Sequence, residues 1–363
     1  MRNNLQEKYM TEAMHLALKA KGNTSPNPLV GALVVKKNKV IGRAYHRKAG
    51  LAHAEALALE QANRRAKGAT LYVTLEPCAH FGRTSPCTQA IIKSGVSKVI
   101  IGMKDPNPIV NGKGIKILKS QGLTVLVGFL EKELGRMNEV YVKYIRKRLP
   151  FMVVKVAQSL DARIATCERD SKWITSQESR NFTKRLRNDF DAIMVGINTL
   201  LADEPGLEPE RPKERFYKVI VDSKLRTPID AKILAKDANK VIIATTKLAN
   251  EDKVKYLCAK NVRVWILPDK DGLLDLCALA ARLAESQITS VLVEGGGSLI
   301  GSLFDDGLVD KVMFFIAPKI IGGKDALSSV EGRGARWVKD AIGLKDLNIK
   351  KIGEDFLVEA YVK

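Results

Sequence analysis

Three potential zinc ligands, the imidazole of His53 and the thiols of Cys78 and Cys87, stand at separate positions between residues 53 and 87 of this 363-residue chain. Zinc in proteins is held tetrahedrally by such nitrogen and sulfur atoms, and three protein ligands leave a fourth position open for water. A fold that uses all three must bring distant segments to one point. The sequence therefore predicts one catalytic Zn²⁺ per chain and constrains how its first half folds.

Glu55 follows His53 in a segment rich in helix formers, so both residues fall in the first turn of a helix predicted over 53–66. Zinc deaminases with an H-x-E…P-C-x-x-C pattern use such a Glu as general acid and base without binding the metal. We therefore expect Glu55 to transfer protons in the hydrolytic deamination of a heterocycle. Cys78 follows a predicted buried strand, and Pro77 predicts that a helix begins there, which would lower the pKa of this thiol.

Strand and helix patterns alternate along the whole chain, which is typical of α/β folds, and its length favours two domains. A helical pattern ends at Arg146–Pro150 and a strand pattern begins at Phe151. We predict one domain over residues 1–147 and a second over 150–363. Further helices are predicted over 131–145 and 272–285, and residues 196–205 are predicted to form a polar loop.

The positive charge is concentrated in the first half. Residues 1–150 contain 26 Lys and Arg against 9 Asp and Glu, a net charge of +17, whereas the rest contains 34 against 31, or +3. Such a surface attracts phosphate groups, so a nucleic-acid deaminase of the tRNA type, with an accessory domain, is the alternative function. The aromatic residues that base stacking would require fall mostly in core-like patterns. We therefore expect a small phosphorylated substrate and no nucleic-acid partner.

The sequence carries neither a membrane-span pattern nor a signal-peptide pattern. It has no run of 18 uncharged apolar residues, and the first 22 residues form an amphipathic helix pattern. The five cysteines follow no disulfide framework, which suits a reducing compartment. We expect a cytoplasmic protein without a membrane partner.

Glycines at a strand end indicate a second site in the other half. Gly295, Gly296 and Gly297 follow a predicted buried strand and precede a helix, where backbone N–H groups can approach a pyrophosphate. Ile300 occupies the position that the last glycine of G-x-G-x-x-G would need, so no Rossmann domain is predicted. Residues 155–165 and 196–205 also run off strand ends, where ligand sites gather in open α/β sheets.

These motifs resemble those of the bifunctional deaminase/reductase family of riboflavin biosynthesis nearly from end to end. In the first half the matching segments are 26–31, 53–55, 74–87 and 105–108. Eight residues separate Cys78 from Cys87, as in this family, whereas free-nucleoside and tRNA deaminases usually have two. The resemblance implies an N-terminal cytidine-deaminase-like three-layer α/β/α domain followed by a dihydrofolate-reductase-like α/β domain.

The resemblance also implies two consecutive reactions. The first is zinc-dependent removal of the 2-amino group of 2,5-diamino-6-ribosylamino-4(3H)-pyrimidinone 5′-phosphate. The second is NADPH-dependent reduction of the ribosyl side chain, which yields 5-amino-6-ribitylamino-2,4-pyrimidinedione 5′-phosphate. A homo-oligomer is also expected.

Site residues follow from the resemblance position by position. Zinc would be bound by His53, Cys78 and Cys87, with Glu55 as the catalytic acid and base, and Lys155 would bind or polarise the sugar. Substrate contacts are implied for Asn27, His46, Arg83, Asn107, Ser171, Arg187, Leu207, Arg211 and Glu294. NADPH contacts are implied for Ala157, Trp173, Thr199, Asp203, Ser223, Gly296, Gly297, Ser298, Leu299, Ile300, Gly301 and Ser302.

The sequence departs from the family pattern at two places. Ala162 stands where the family has glycine, which would strain the loop if this position requires a positive φ. Glu210 stands where the family has an arginine near the substrate, and Arg211 follows it. Arg211 is therefore the candidate contact.

Overall fold

A computed structural model of the protein describes residues 2–79 and 85–363. The chain divides into two compact units, Met1–Arg148 and Leu149–Lys363. Each unit has its own buried apolar core.

The first unit is built on a mixed sheet. Its described strands are β1 (Gly31–Lys36), β2 (Lys39–Tyr45), β3 (Thr70–Leu75), β4 (Lys98–Met103) and β5 (Thr124–Val127). Its described helices are α1 (Arg2–Leu18), α2 (Ala54–Ala62), α3 (Cys87–Ser94), α4 (Lys113–Ser120), α5 (Glu131–Met137) and α6 (Glu139–Lys147). The strand order is β2-β1-β3-β4-β5, in which β1 is antiparallel to both neighbours and β3, β4 and β5 are parallel.

Helices cover both faces of this sheet. Gly31 and Val34 face opposite sides because strand side chains alternate, and Gly42 pairs with Val34. A Cβ atom at Gly31 would lie 1.9 Å from the Ala13 carbonyl oxygen of α1, and one at Gly42 would lie 2.1 Å from the Ala58 carbonyl oxygen of α2. The two helices therefore pack on opposite faces, which confirms the predicted three-layer arrangement.

The single helix predicted over 131–145 is wrong, because the chain breaks it at Asn138 into α5 and α6. Asn138 is buried, where its Oδ1 accepts a hydrogen bond from the Leu29 N–H (2.8 Å) and its Nδ2 donates to the Leu29 carbonyl oxygen (3.1 Å). A contact across 109 positions leaves no local sequence pattern. It anchors the chain just before β1, close in sequence to Asn27.

Replacing Asn138 with leucine tests this anchor. Asn138→Leu would leave the buried N–H and C=O of Leu29 without partners, and we expect a loss of about 3 kcal/mol in the free energy of unfolding. Urea denaturation of the full chain measures the loss. Asn111→Ala, at an exposed asparagine of the same unit, is the control. Equal stability of the two variants would contradict the anchoring role.

The second unit is built on a larger sheet. Its strands are β6 (Phe151–Ser159), β7 (Arg163–Ala165), β8 (Ala192–Gly196), β9 (Tyr217–Val221), β10 (Val241–Thr245), β11 (Arg263–Ile266), β12 (Asp269–Lys270), β13 (Leu273–Leu274), β14 (Ser290–Val293), β15 (Lys311–Ala317), β16 (Leu327–Ser328), β17 (Leu344–Ile352) and β18 (Asp355–Val362). Its helices are α7 (Gln177–Leu186), α8 (Ile197–Asp203), α9 (Glu251–Ala259), α10 (Leu276–Glu285) and α11 (Gly297–Asp305).

Nine of these strands form one sheet in the order β11-β10-β9-β8-β14-β6-β15-β18-β17. The strands from β11 to β15 in this order pair in parallel, and β18 and β17 add antiparallel pairs at one end. The parallel strands bring the loops after β6, β8, β9, β10 and β14 to the same edge of the sheet. The predicted reductase residues belong largely to these loops.

Two local predictions in this unit are wrong. Residues 197–203 of the segment predicted as a loop form the short helix α8. Only Ile197 and Leu200 of this helix are buried, and so brief an apolar pattern is hard to recognise in the sequence. The helix predicted from residue 272 begins at Leu276, because β12 and β13 form a hairpin and Asp275 caps the helix. Ser176 caps α7, since its side chain accepts a hydrogen bond from the Ser179 N–H.

Candidate functional site

The predicted zinc ligands converge in the first unit. His53 immediately precedes α2 with an extended backbone, and its ring makes no capping hydrogen bond. Cys78 lies in the segment after β3, and Cys87 is the first residue of α3. The Nδ1 atom of His53 lies 3.7 Å from the Cys78 Sγ and 3.2 Å from the Cys87 Sγ. All three ligand atoms lie within 4.8 Å of one another.

This geometry fits a tetrahedral zinc ion. Zn–S bonds of about 2.3 Å and Zn–N bonds of about 2.0 Å place neighbouring ligand atoms about 3.5–3.8 Å apart. A hydrogen bond with the Cys87 thiol outweighs burial and, together with His53, lowers the pKa of Cys78 to about 4. Cys78 is therefore predisposed to the thiolate form that binds metal. The same hydrogen bond and burial raise the pKa of Cys87.

The helix predicted to start at Cys78 is wrong. Cys78 lies outside helical structure, and the helix starts at Cys87, directly after Pro86. The helical pattern of the sequence also predicts a helix over 87–94, and this one is observed as α3. Pro77 gives the same local signal of a helix start as Pro86, but the Cys78 that follows it is not helical.

Glu55 lies in the first turn of α2, as predicted, and is buried. Burial raises the pKa of its carboxyl group, although the neighbouring His53 and a hydrogen bond with Cys87 oppose the rise. Glu55 thus lies against the ligand cluster without belonging to it. A carboxyl group with a raised pKa is suited to proton transfer near neutral pH.

Asn27 and His46 lie beside the ligand cluster. The His46 ring packs edge-on against the His53 ring, with 5.3 Å between centroids, and its Nε2 lies 3.1 Å from the Asn27 Nδ2. Its Nδ1 lies 3.3 Å from the Ala52 carbonyl oxygen. With the proton on Nδ1, the ring donates to Ala52 and its Nε2 accepts from the Asn27 amide. Burial lowers the pKa of His46, which favours this neutral tautomer. Arg83 lies outside the described residues.

Glu76 was not singled out from the sequence, yet it organises the other side of the site. Its buried carboxylate accepts hydrogen bonds from the backbone N–H groups of Asp105 (3.3 Å), Gly112 (2.9 Å) and Ile115 (3.2 Å). Asp105 in turn accepts one from the Asn107 N–H (2.9 Å). Glu76 therefore fixes the loop that carries Asn107. An acidic residue between a buried strand and a proline was the available signal.

Glu76→Gln tests this role directly. The amide would turn a donor toward backbone N–H groups, so we expect the backbone amides of Asp105, Gly112 and Ile115 to exchange hydrogen at least about tenfold faster, while bound zinc is retained. Hydrogen-exchange mass spectrometry and metal analysis measure the two effects. Glu60→Gln, at an exposed position of α2, is the control. Unchanged exchange in the 105–115 segment would refute the assignment.

Three charged side chains converge in the second unit. The Glu294 carboxylate, at the end of β14, accepts hydrogen bonds from Nε (2.8 Å) and Nη2 (3.1 Å) of Arg187. The Lys155 Nζ of β6 lies 3.7 Å from the same carboxylate. Burial would raise the pKa of Glu294, but the charges of Lys155 and Arg187 outweigh it and lower the pKa. Burial lowers the pKa of Lys155.

The remaining predicted substrate residues of this unit lie on two segments. The Ser171 hydroxyl donates to the Asp203 carboxylate (2.9 Å), which joins a predicted substrate residue to a predicted cofactor residue. Leu207 is buried with a positive φ of 56°. The Glu208 carbonyl oxygen accepts a hydrogen bond from Arg187 Nη1 (3.0 Å), and the exposed Arg211 donates its N–H to Asn188 (3.0 Å). The 207–211 segment therefore runs beside Arg187.

The structure divides the predicted glycine-rich cofactor segment into two parts. A Cβ atom at Gly296 would have only the Thr199 hydroxyl nearby, at 3.5 Å. At Gly297 and Gly301, in contrast, it would lie 2.3 Å and 2.1 Å from the carbonyl oxygens of Ser328 and Glu331. These two glycines permit close packing of residues 328–331 against α11. Beside Gly296, by contrast, the backbone is open apart from the Thr199 hydroxyl.

The other predicted cofactor residues are distributed as follows. Ala157 lies on β6, and Ser223 follows β9. Trp173 is 63% exposed, with the Arg180 guanidinium 4.5 Å above its ring. Leu299 and Ile300 are buried in the core, whereas Ser298 and Ser302 are not buried. Ala162 adopts a φ of 63°, so the position does require the left-handed conformation that glycine tolerates best.

Comparison with protein families assigns both halves of the chain. Residues 3–103 match the cytidine and deoxycytidylate deaminase zinc-binding region, and residues 150–358 match the RibD C-terminal domain. The riboflavin biosynthesis protein RibD of Aquifex aeolicus is 41% identical over 99% of this chain and 99% of its own length. RibD of Escherichia coli K12 is 36% identical over 96% of this chain and 97% of its own.

Solved structures agree with this assignment. Acinetobacter baumannii RibD superposes with a TM-score of 0.89 at 31% identity, covering 100% of both chains. The deaminase/reductase of Thermotoga maritima superposes with a TM-score of 0.88 at 33% identity, also over 100% of both chains.

Fold, site and comparisons together define a bifunctional enzyme with a zinc-binding deaminase domain and a reductase domain. The chain belongs to the RibD family, the deaminase/reductase proteins of riboflavin biosynthesis. The alternative of a tRNA-type deaminase with an accessory domain is not favoured, because the relatives match both halves of the chain.

Proposed function

We propose that residues 1–147 form a zinc-dependent deaminase domain and residues 150–363 an NADPH-dependent reductase domain that act on one substrate in succession. The convergence of His53, Cys78 and Cys87 beside the buried Glu55 carries the proposal. The Thermotoga maritima relative is described as a diaminohydroxyphosphoribosylaminopyrimidine deaminase and 5-amino-6-(5-phosphoribosylamino)uracil reductase. The same two substrates are proposed here.

In the deaminase domain, the proposed ligands His53, Cys78 and Cys87 hold one Zn²⁺, which when bound activates water for attack on the ring carbon. Glu55 accepts a proton from the attacking water and delivers it to the 2-amino group, which departs as ammonia. Its buried position, where the pKa of its carboxyl is raised, supports both steps. Asn27, His46, Arg83 and Asn107 are proposed to bind the pyrimidine and its ribose phosphate, since small phosphorylated ligands also account for the positive charge of this half.

In the reductase domain, NADPH supplies the hydride. Lys155 is proposed to donate a hydrogen bond to the sugar oxygen at the carbon that is reduced, while Glu294 keeps this ammonium group in place at 3.7 Å. Arg187, Ser171, Leu207, Arg211 and Glu294 are proposed substrate contacts. The proposed cofactor contacts are Ala157, Trp173, Thr199, Asp203, Ser223 and the segment from Gly296 to Ser302.

Glu55→Gln separates the two reactions. Because the amide cannot take up a proton, we expect ammonia release to fall at least about a hundredfold, while zinc content and reduction of the deaminated substrate are unchanged. Glu60→Gln on the same helix is the matched control. Ammonia release, NADPH consumption and zinc content are measured on the same preparation. Normal deamination by Glu55→Gln would exclude the proposed proton transfer.

Two further properties are proposed. None of the five cysteines, all of which lie in the described part of the chain, forms a disulfide, which supports a reducing, cytoplasmic setting. In the described part of the chain, none of the helices has the length and apolarity needed to cross a bilayer.

A homo-oligomer is supported by β17, the last strand of its sheet, whose apolar side chains Leu347 and Ile349 are 60% and 57% exposed. An unpaired edge with exposed apolar residues favours pairing with a second copy.

Ile349→Lys tests this interface. A charge on the edge of β17 should oppose its burial against a second copy, so we expect the apparent mass by light scattering to fall toward 40 kDa. Leu248→Lys replaces a similarly exposed leucine away from this strand and should leave the mass unchanged. An oligomer that persists in Ile349→Lys would rule out this edge as the interface.

A further inference from the structure

The start of α6 carries two buried polar side chains, each of which contacts a proposed substrate-binding segment of the deaminase unit. Asn138 directly precedes the helix, and Tyr141 lies three positions later, about one helical turn away. Asn138 binds the backbone of Leu29, two residues after Asn27. Tyr141 reaches the loop after β4, which carries Asn107.

The Tyr141 hydroxyl forms a closed set of hydrogen bonds with Asp105 and Asn107. It donates to the Asp105 Oδ1 (2.9 Å), and the same oxygen accepts a hydrogen bond from the Asn107 N–H (2.9 Å). Burial and the Asp105 carboxylate raise the pKa of Tyr141, and a hydrogen bond with the Asn107 side chain opposes the rise. Only a donor to the phenol oxygen favours its charged form, so the Asn107 Nδ2 is the donor of this bond.

These contacts fix the orientation of the Asn107 amide from both ends. Its Oδ1 accepts a hydrogen bond from the Ile109 N–H (3.1 Å), while its Nδ2 faces Tyr141. If the amide were turned over, its two N–H groups would meet the Ile109 N–H. Its oxygen would then meet a phenol oxygen whose proton is already donated to Asp105. Asn107 is only half-buried, and an amide bonded once at each end retains a second proton and a second lone pair for a ligand.

Tyr141 and Glu76 restrain different parts of this loop. The Glu76 carboxylate binds three backbone N–H groups between residues 105 and 115, and none of them belongs to Asn107. Tyr141 and the Ile109 N–H instead hold the Asn107 side chain. An amide that is already oriented loses less conformational entropy when a ligand binds.

We propose that Tyr141 is a positioning residue of the deaminase, which through Asp105 and Asn107 holds the Asn107 amide in the orientation that binds the phosphorylated pyrimidine. The inference rests on the proposed substrate contact at Asn107 and deepens it. Because Asn138 anchors the Asn27 segment from the same end of α6, a single helical turn sets the relative position of two proposed substrate amides.

Tyr141→Phe tests the proposal, since it removes the hydroxyl and keeps the ring in the core. Asn107 would lose the acceptor for its Nδ2. We expect the KM for the diaminopyrimidine phosphate, measured by ammonia release, to rise about three- to tenfold, while kcat changes less than about twofold. An amide that binds ground state and transition state equally affects KM and leaves kcat. Zinc content and reduction of the deaminated substrate by the same preparation should be unchanged.

Two controls distinguish positioning from a general loss of structure. Tyr144→Phe removes the hydroxyl of a half-buried tyrosine further along α6, whose ring lies beside Arg148, and should leave the KM unchanged. In Tyr141→Phe the Glu76 carboxylate still holds the loop backbone, so hydrogen exchange at the Gly112 and Ile115 amides should remain slow. Faster exchange at these amides with an unaltered KM would show a purely structural role and refute the proposal.

A double-mutant cycle shows whether Tyr141 acts through Asn107. Asn107→Ala should raise the KM by itself, and adding Tyr141→Phe to it should raise the KM by less than about twofold more, because the amide to be positioned is absent. If Tyr141→Phe raises the KM by the same factor with and without the Asn107 side chain, the proposed route is wrong.

Failure of this inference is distinguishable from failure of the proposed function. If Asn107→Ala raises the KM and Tyr141→Phe does not, the substrate contact stands and Tyr141 does not position it. If Asn107→Ala leaves the KM unchanged, the proposed contact is wrong and the inference falls with it. An unaltered chain that releases no ammonia from the diaminopyrimidine phosphate would contradict the proposed function itself.

Discussion

Parallel pairing of neighbouring strands is the constraint on which both active sites depend. In the first unit β3 and β4 run in parallel, so the segments that follow them, with Glu76 and Cys78 after one and Asp105 after the other, emerge at the same edge. In the second unit the segments after the parallel strands β14, β8 and β9 do the same for Glu294, Thr199 and Ser223. Residues far apart in sequence thereby become neighbours, because the strands that precede them end side by side in the sheet.

Buried charges then fix these edges in place. The Glu76 carboxylate loses its hydration on burial and accepts hydrogen bonds from three backbone N–H groups instead. The Glu294 carboxylate is likewise partnered by the guanidinium of Arg187 and the ammonium group of Lys155. A buried carboxylate is costly unless it is fully partnered, so each of these groups favours the one arrangement that satisfies it. Rigid loops of this kind can position a substrate or cofactor with little loss of conformational entropy on binding.

Much of the fold was predictable from the alternation of apolar patterns, because strands and helices of ordinary length leave a clear period in the sequence. The errors occurred where the deciding contact is distant. The break at Asn138 depends on its hydrogen bonds with Leu29. The short helix α8 carries too few apolar positions to be recognised. At Ala162 the condition raised by the family's glycine is met, since the residue adopts a positive φ of 63°.

The sequence by itself determined the class of chemistry, since a histidine, two cysteines and a glutamate at this spacing are typical of a zinc-dependent deaminase. It also determined the α/β class and predicted a second site at glycine-rich strand ends. Only the tertiary structure decided which glycines serve packing and which leave space, and that Glu76 holds the Asn107 loop. Local patterns record the burial and turns of single segments, whereas these roles arise from contacts between segments that the chain brings together only when it folds.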